Sequence, residues 1–416
     1  MEYRPRVMDR ELDARLHALG AVVIEGPRAV GKTATARQHA ASSVLLDVDD
    51  NARRAAQLDP SLVLDGETPR LLDEWQVVPG LWNRVRRAVD ERGRPGQFIL
   101  TGSAVPADDE TRHIGAGRFS RLAMRPMTLR ESGHSTGEVR LEELVAGQPA
   151  RAADPGLTLL DLIDRVCVGG WPLLLGVDVP SALQANRDYL GEVSRADLRR
   201  VDGVRRDPAR VAATLAALAR HVSTIVATRT LALDLGDGGR PADAQVVASY
   251  LSALERLHII EDQPAWAPSL RSRSRVRSSP KRHLVDPSLA VAAVGGSPAR
   301  LLADLNYFGF LFESLVVRDL RVYAQPLGGR ILHYRDNTGL EVDAVLELPD
   351  GSWGAVEIKL GTDQVDRACT RLSTFAERVD TARTGRPAFL AVITGTGYGY
   401  RRTDGIDVIP IGALRD

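Results

Sequence analysis

Ala21-Val-Val-Ile-Glu25 runs without a break into Gly26-Pro-Arg-Ala-Val-Gly-Lys-Thr33 and on into the helix former Ala34-Thr-Ala-Arg-Gln-His-Ala-Ala41. An apolar strand, a glycine-bracketed loop and a helix in that order constrain the fold more than any other segment, because a chain needs that setting to wrap a phosphate. Gly26 and Gly31 let the backbone through Pro27, Arg28, Ala29 and Val30 curl. Successive N–H groups then face an anion at a helix N-terminus whose dipole favours it. Lys32 is expected to reach the β- and γ-phosphates of ATP, and the Thr33 hydroxyl to ligate Mg²⁺.

Lysine usage singles out the same place. Only Lys32, Lys281 and Lys359 are lysines, against 51 arginines. A compact ammonium on a flexible stem does what a planar guanidinium cannot, so a lysine kept in such a chain marks a candidate site.

A P-loop requires an acidic partner on a neighbouring strand. Leu71-Leu-Asp-Glu-Trp-Gln76 offers one: Asp73 for the Mg²⁺ shell and Glu74 to orient and deprotonate the attacking water. An acidic surface turn is the competing reading. Gln97-Phe-Ile-Leu-Thr-Gly-Ser103 reads as another core strand whose end brings Thr101 or Ser103 towards the γ-phosphate, with a plain Thr-Gly-Ser turn as the alternative.

With these residues the chain resembles the prokaryotic AAA-like ATPases that carry a C-terminal domain of unknown function. The shared features begin with Arg4-Pro-Arg6, the Gly26–Thr33 loop, Asp73-Glu-Trp-Gln76 with Val78-Pro79 and Leu81-Trp82, and Leu100-Thr-Gly-Ser103. They continue through Gly117-Arg118, Arg125-Pro-Met-Thr-Leu-Arg-Glu131, Gly169-Gly-Trp-Pro172, Pro280-Lys281, Asp286 and Phe312-Glu313 to Glu341-Val-Asp343 and Glu357-Ile-Lys359. Trp75, Met127, Thr128 and Trp171 depart from the family's usual residues without removing a catalytic group. The resemblance implies that Arg118, from its own subunit or a neighbouring one, supplies positive charge to the γ-phosphate. A surface arginine is the alternative.

Composition bounds the rest. A chain of 416 residues, 44% hydrophobic and 26% charged, suits two or three folded domains. Zero net charge means any nucleic-acid surface is local. Cys167 and Cys369 have no metal-ligand spacing, and no apolar leader or spanning run occurs, so reduced thiols in a cytoplasmic protein are expected.

The middle region reads as helices followed by a hairpin, the order of a winged helix. Asp154–Ala185 is helical up to the Gly169-Gly170 turn; Asp207-Pro208 caps a helix bearing Val211, Leu215, Leu218 and Val222; another follows Pro241. The hairpin starts at Ile259-Ile260 and contains Arg271, Arg273, Arg275 and Arg277. These either track DNA phosphates or form a solvated loop. Lys281 is read as a lysine snorkelling over the sheet.

The C-terminal region reads as an amphipathic helix, Phe308–Leu320, then strands Arg330–Arg335, Leu340–Leu348 and Ser352–Leu360. A helix from Asp363 to Arg378 and a strand from Phe389 to Thr394 follow. A three-residue loop Pro349-Asp-Gly351 sets Asp343 opposite Glu357 with Lys359 on the same face; a two-residue turn sends Asp343 to the other face. In the first register Asp343 and Glu357 hold a second divalent cation, with Lys359 beside them and Glu313 approaching from the helix. The pattern resembles the restriction-endonuclease-like fold, either cleaving or kept as a scaffold.

The expectation is an α/β protein: an AAA-like P-loop ATPase domain over 1–150, a helical and winged-helix-like region over 151–300, and a restriction-endonuclease-like α/β domain over 301–416. It binds and hydrolyses ATP with Mg²⁺ and acts on DNA, alone or as an oligomer. The alternative is a nucleotide-dependent switch that binds a protein partner and has no nuclease activity.

Overall fold

The computed structural model describes residues 2–102, 115–197, 204, 206–236, 240–268 and 279–416. The chain forms two compact units, one of Met1–Arg125 with Ala196–Arg205 and Ala253–Ile259, the other of Pro126–Arg195, Arg206–Ser252 and Ile260–Asp416. Residues 126–150 are built into the second unit by the far end of the chain: β6 (Val139–Arg140) pairs in parallel with β13 (Leu414–Arg415). The Ser135 hydroxyl donates to the Leu414 carbonyl at 2.8 Å, and the Ala150 N–H to Asp407 at 2.9 Å.

In the first unit, β1 (Ala21–Glu25), β2 (Ser42–Leu45), β3 (Arg70–Asp73), β4 (Phe98–Gly102) and β5 (Phe119–Ala123) form a parallel sheet in the order β2-β3-β4-β1-β5. Side chains alternate between faces along a strand. Ala21 and Val23 join Trp82, Phe98 and Leu100 on one face, while Val22 and Ile24 join Leu12, Leu16 and Ile99 on the other. Both faces being covered explains why β1 is an unbroken apolar run. Helix α1 (Met8–Ala18) brings Leu12 and Leu16 to its side of the sheet, and α2 (Lys32–His39) starts directly from the loop after β1. The strand carrying Asp73 is not the neighbour of β1, as the sequence suggested, because β4 lies between them.

In the second unit β7 (Arg330–Arg335), β8 (Glu341–Glu347), β9 (Trp353–Lys359), β10 (Phe389–Thr394), β11 (Tyr400–Arg401) and β12 (Asp407–Pro410) form a six-stranded sheet in the order β11-β12-β10-β9-β8-β7, with β7, β8 and β9 antiparallel. Strand β10 (Phe389–Thr394) runs parallel to β9 after the helix Val365–Arg378. The helix Leu305–Ala324 is longer than expected and not amphipathic. From Leu311 to Ala324 every residue is buried, because β7, β8 and β9 cover one side and the helices Leu159–Val168, Pro287–Ala293 and Pro298–Ala303 the other. Its Arg318 is neutralised inside the core by Asp286 at 2.8 Å and Asp319 at 2.7 Å.

Helices Pro208–Arg220, Thr228–Asp234 and Ala244–Arg256 follow in the order expected of the middle region, the first capped by Asp207, whose carboxylate accepts the Ala209 N–H. The strand expected from Ile259 is only a pair of antiparallel bridges, Ile260 with Leu284 and Gln263 with Lys281. Arg271, Arg273, Arg275 and Arg277 lie outside the described residues.

Candidate functional site

The loop from Gly26 to Gly31 leaves the C-terminal end of β1 in a conformation that needs its residues. A Cβ on Gly26 would lie 2.2 Å from the Met124 carbonyl oxygen, and Gly31 takes φ 105° just before α2. Ala29 is also left-handed, at φ 61°. Pro27 and Val30 are buried, whereas Arg28 and Ala29 face solvent. Arg6, buried, donates to the Val30 carbonyl at 3.0 Å and to the Arg125 carbonyl at 2.8 Å, tying the loop to the chain that leaves β5. The early Arg4-Pro-Arg6 segment thus has a physical role that its sequence alone did not reveal.

Lys32, the first residue of α2, turns its ammonium onto the loop and donates to the Gly26 carbonyl at 2.9 Å and the Pro27 carbonyl at 2.7 Å. Burial pushes its pKa down to about 8, against the opposing pull of Glu74 and Asp73. Thr33 donates to the two carboxylate oxygens of Asp73 at 2.8 and 3.1 Å, and Thr101 at the end of β4 donates to the same carboxylate. Glu74 follows in a left-handed conformation, φ 52°, its N–H directed at Thr101 at 3.4 Å and its carboxylate accepting from the Gln76 amide. Lys32, Thr33, Asp73, Glu74 and Thr101 therefore converge from the C-terminal ends of β1, β3 and β4. Thr33 and Asp73 offer the hard oxygen donors Mg²⁺ prefers, and a nucleotide's phosphates can complete such a shell.

Two expected members do not join them. Ser103 lies outside the described residues. Arg118 is at the wrong end of the sheet: Ala21 pairs with Phe119 and Glu25 with Ala123, so Arg118 precedes β5 at the edge opposite the loop. Five strand residues, about 16 Å, separate the two ends. Its guanidinium instead pairs with Asp90 at 2.8 Å. Sequence proximity to a Gly-Arg motif carried no information about which sheet edge that motif occupies.

In the second unit the three-residue loop register holds. Leu348 accepts its place opposite Ser352 through the Leu348 N–H to Ser352 carbonyl bond at 2.9 Å, Gly351 is left-handed at φ 86°, and the ladder runs Glu347 with Trp353 to Ala344 with Val356. Asp343 and Glu357 consequently reach one ammonium: Lys359 lies 3.0 Å from Asp343 and 2.7 Å from Glu357. Lys281 does not snorkel. It is 3% exposed and lies 2.6 Å from Glu313 and 3.4 Å from Asp343. The result is an alternating chain, Glu313, Lys281, Asp343, Lys359, Glu357.

The charges tune each carboxyl differently. Burial would raise Asp343, but Lys281 and Lys359 hold it down to about 2. Burial pushes Glu313 up to about 8, only partly offset by Lys281. Burial and the Asp343 charge push Glu357 up to about 7. Glu357 is fully buried, and its carboxylate forms an ion pair with Lys359 at 2.7 Å. The second divalent cation expected at Asp343 and Glu357 does not fit this arrangement, because ammonium groups already stand where it would sit. Among the described residues, no three His, Cys, Asp or Glu side chains are grouped to hold a metal ion.

Around this chain stand residues the sequence did not single out. Gln263 donates to the carbonyls of Leu332 and Asp343, both at 3.0 Å, and its oxygen lies 3.2 Å from His283. Burial drives His283 well below the usual imidazole range, so it is neutral. The rarity of lysine and the Pro280-Lys281 resemblance were the signals that pointed to Lys281.

Residues 19–133 match the model of a family described as an AAA domain. With the glycine loop of Gly26–Thr33, this makes the first unit an AAA-like P-loop ATPase domain. Residues 159–300 and 308–414 match two families described as domains of unknown function. Uncharacterised proteins of Mycobacterium bovis and Mycobacterium tuberculosis are each 24% identical over 364 residues, covering 85% of this chain and 73% of theirs. A Walker-type ATPase of Pyrococcus abyssi aligns with a TM-score of 0.44 and 15% identity over 70% of this chain and 99% of its own. Among the described residues no helix is long and apolar enough to cross a membrane.

Proposed function

We propose that the protein hydrolyses ATP with Mg²⁺ and that its nucleotide state governs engagement of DNA through the region 207–285 and the C-terminal α/β fold. The observation that carries the hydrolytic part is the convergence of Lys32, Thr33, Asp73, Glu74 and Thr101. Lys32 would exchange its two carbonyl partners for phosphate oxygens, which neutralise it better. Thr33 and Asp73 would hold Mg²⁺. Glu74, kept in place by Gln76, would take a proton from water attacking the γ-phosphate.

Two features support a DNA partner: the run Arg271, Arg273, Arg275 and Arg277 in a chain of zero net charge, and the order helix, three strands, helix, strand from Leu305 to Thr394. That order fits the restriction-endonuclease-like reading. DNA binding measured across a salt series, with ADP and with a non-hydrolysable ATP analogue, tests the proposal. Affinity should differ between the two nucleotides, and replacing the four arginines by Ser should weaken binding and flatten its salt dependence. Equal affinity and equal slope in all arms would remove DNA from the function.

The ion-pair chain favours a second reading for the C-terminal site. Carboxylates already neutralised by lysines suit a binding scaffold, and the protein would then be a nucleotide-dependent switch without cleavage, for a DNA or protein partner.

A further inference from the structure

We infer that Arg6 is a positioning residue for nucleotide binding: by holding the Val30 carbonyl, it fixes the Gly31 N–H in the direction of the nucleotide's phosphates. This deepens the reading of Gly26–Thr33 as an ATP-binding loop and rests on it, and it places a determinant of binding outside that loop.

The peptide between Val30 and Gly31 is trans, so its carbonyl and its N–H point in opposite directions. Arg6 Nη1 donates to the Val30 carbonyl at 3.0 Å in a buried bond, and the Gly31 N–H is thereby turned away from Arg6. Ala29 at φ 61° and Gly31 at φ 105° are left-handed residues of the kind that gather successive N–H groups into an anion-binding concavity. Turned the other way, the same peptide would present a carbonyl oxygen where a phosphate needs a donor. Lys32 takes the carbonyls of Gly26 and Pro27 at 2.9 and 2.7 Å, so the two cations divide three of the loop's carbonyls between them. When Lys32 leaves for a phosphate, the Arg6 bond is the one of these that stays.

Arg6 is itself held for this task. Its backbone N–H donates to Asp9 at 2.8 Å, and Asp9, at the head of α1, also accepts the Tyr3 hydroxyl at 2.7 Å. The residue is only 7% exposed, and its Nη2 lies 2.8 Å from the Arg125 carbonyl. That carbonyl is a fixed reference, because the preceding Met124 N–H is bonded to the Glu25 carbonyl of β1 at 2.7 Å. A planar guanidinium that reaches both carbonyls sets the spacing of Val30 from Arg125 as well as the direction of the Val30 carbonyl. Without Arg6 the Val30 carbonyl loses a buried partner, and the peptide is free to turn towards another donor.

ATP turnover and equilibrium binding of ADP by the full chain, parent against Arg6→Met, test this. A backbone donor to phosphates that ATP and ADP share contributes equally to substrate and transition state, so its loss raises KM and spares kcat. Arg6→Met should raise the KM for ATP and the Kd for ADP by the same factor, about tenfold or more, with kcat within about twofold of the parent. A merely structural role would lower the active fraction, and so kcat, and leave KM in place. A folded Arg6→Met with parental KM and Kd overturns the inference. So does a loss several times larger for ATP than for ADP, the result that removal of a distant charge would give. If Arg6→Met does not fold by circular dichroism, amide hydrogen exchange in the parent decides: ADP with Mg²⁺ should slow exchange across Ala29–Thr33, and unchanged exchange overturns the inference. A parent that binds neither nucleotide ends the ATP reading itself, and this inference with it.

Discussion

Thr33 donates its hydroxyl to Asp73 across 2.8 Å, joining the start of α2 to the end of β3 although β4 separates β3 from β1, the strand that leads into α2. The bond pre-aligns the two groups that would share a Mg²⁺ ion, and Thr101 braces the same carboxylate from β4. In the proposed mechanism the neighbouring Glu74 would act on water.

Lys32→Ala should abolish ATP hydrolysis and weaken nucleotide binding, because its ammonium is the only lysine in the first unit able to meet the phosphates. Glu74→Gln should still bind ATP yet turn it over about 10²- to 10⁴-fold more slowly, the range expected for loss of a general base. Phosphate release and equilibrium nucleotide binding separate the two effects; parental turnover in Glu74→Gln would end its assignment as the base.

Arg118→Ala should leave turnover unchanged in dilute protein, since the sheet register holds this residue at the edge away from the loop. A large loss that grows with protein concentration would instead show a neighbouring subunit's arginine at work. Turnover measured over a concentration series distinguishes them.

Two glycines should respond differently to alanine. At Gly26 the added Cβ meets the Met124 carbonyl at 2.2 Å, and a backbone atom cannot move aside without moving the loop, so Gly26→Ala should lose measurable ATP binding. At Gly351 nothing lies within 4 Å, and only the left-handed backbone is penalised. Gly351→Ala should therefore cost about 1–2 kcal/mol of stability and keep ATP turnover. Denaturant unfolding and turnover assays check both.

Asp319 should give the second unit a pH dependence of definite sign. Burial raises its pKa from 3.8 to about 6 despite Arg318. Between those values the folded chain holds a proton the unfolded chain has released, so this group's contribution is full below pH 3.8 and is lost as pH rises through about 6. The shift corresponds to about 3 kcal/mol. Subtracting the unfolding free energies of Asp319→Asn from those of the parent across pH 3.5 to 7 should expose that slope; a flat difference would refute it.

Local rules made much of this legible beforehand. The strand, loop and helix around Gly26–Thr33 follow from apolar run, glycine spacing and helix start, all read within twenty residues. The Pro349-Asp-Gly351 loop set the β8–β9 register by the same local logic, because loop length and a left-handed glycine select the turn. Where the sequence failed, the deciding contact was distant. Arg118 lies away from the loop of its own chain; a motif does not say which end of a parallel strand it occupies. The packing of 126–150 was not legible because its partners, Leu414 for Ser135 and Asp407 for Ala150, lie more than 250 positions away.

By itself, then, the sequence determined the phosphate-binding loop, and it offered the acidic pair Asp73-Glu74 and, in one of two registers, a face shared by Asp343, Glu357 and Lys359, since each depends on spacing along one or two adjoining elements. Only the tertiary structure decided that Lys281 fills the space between Glu313 and Asp343. Those three residues come from a bridge, a helix and a strand up to 62 positions apart. No local periodicity records which charge a folded core will bury beside another.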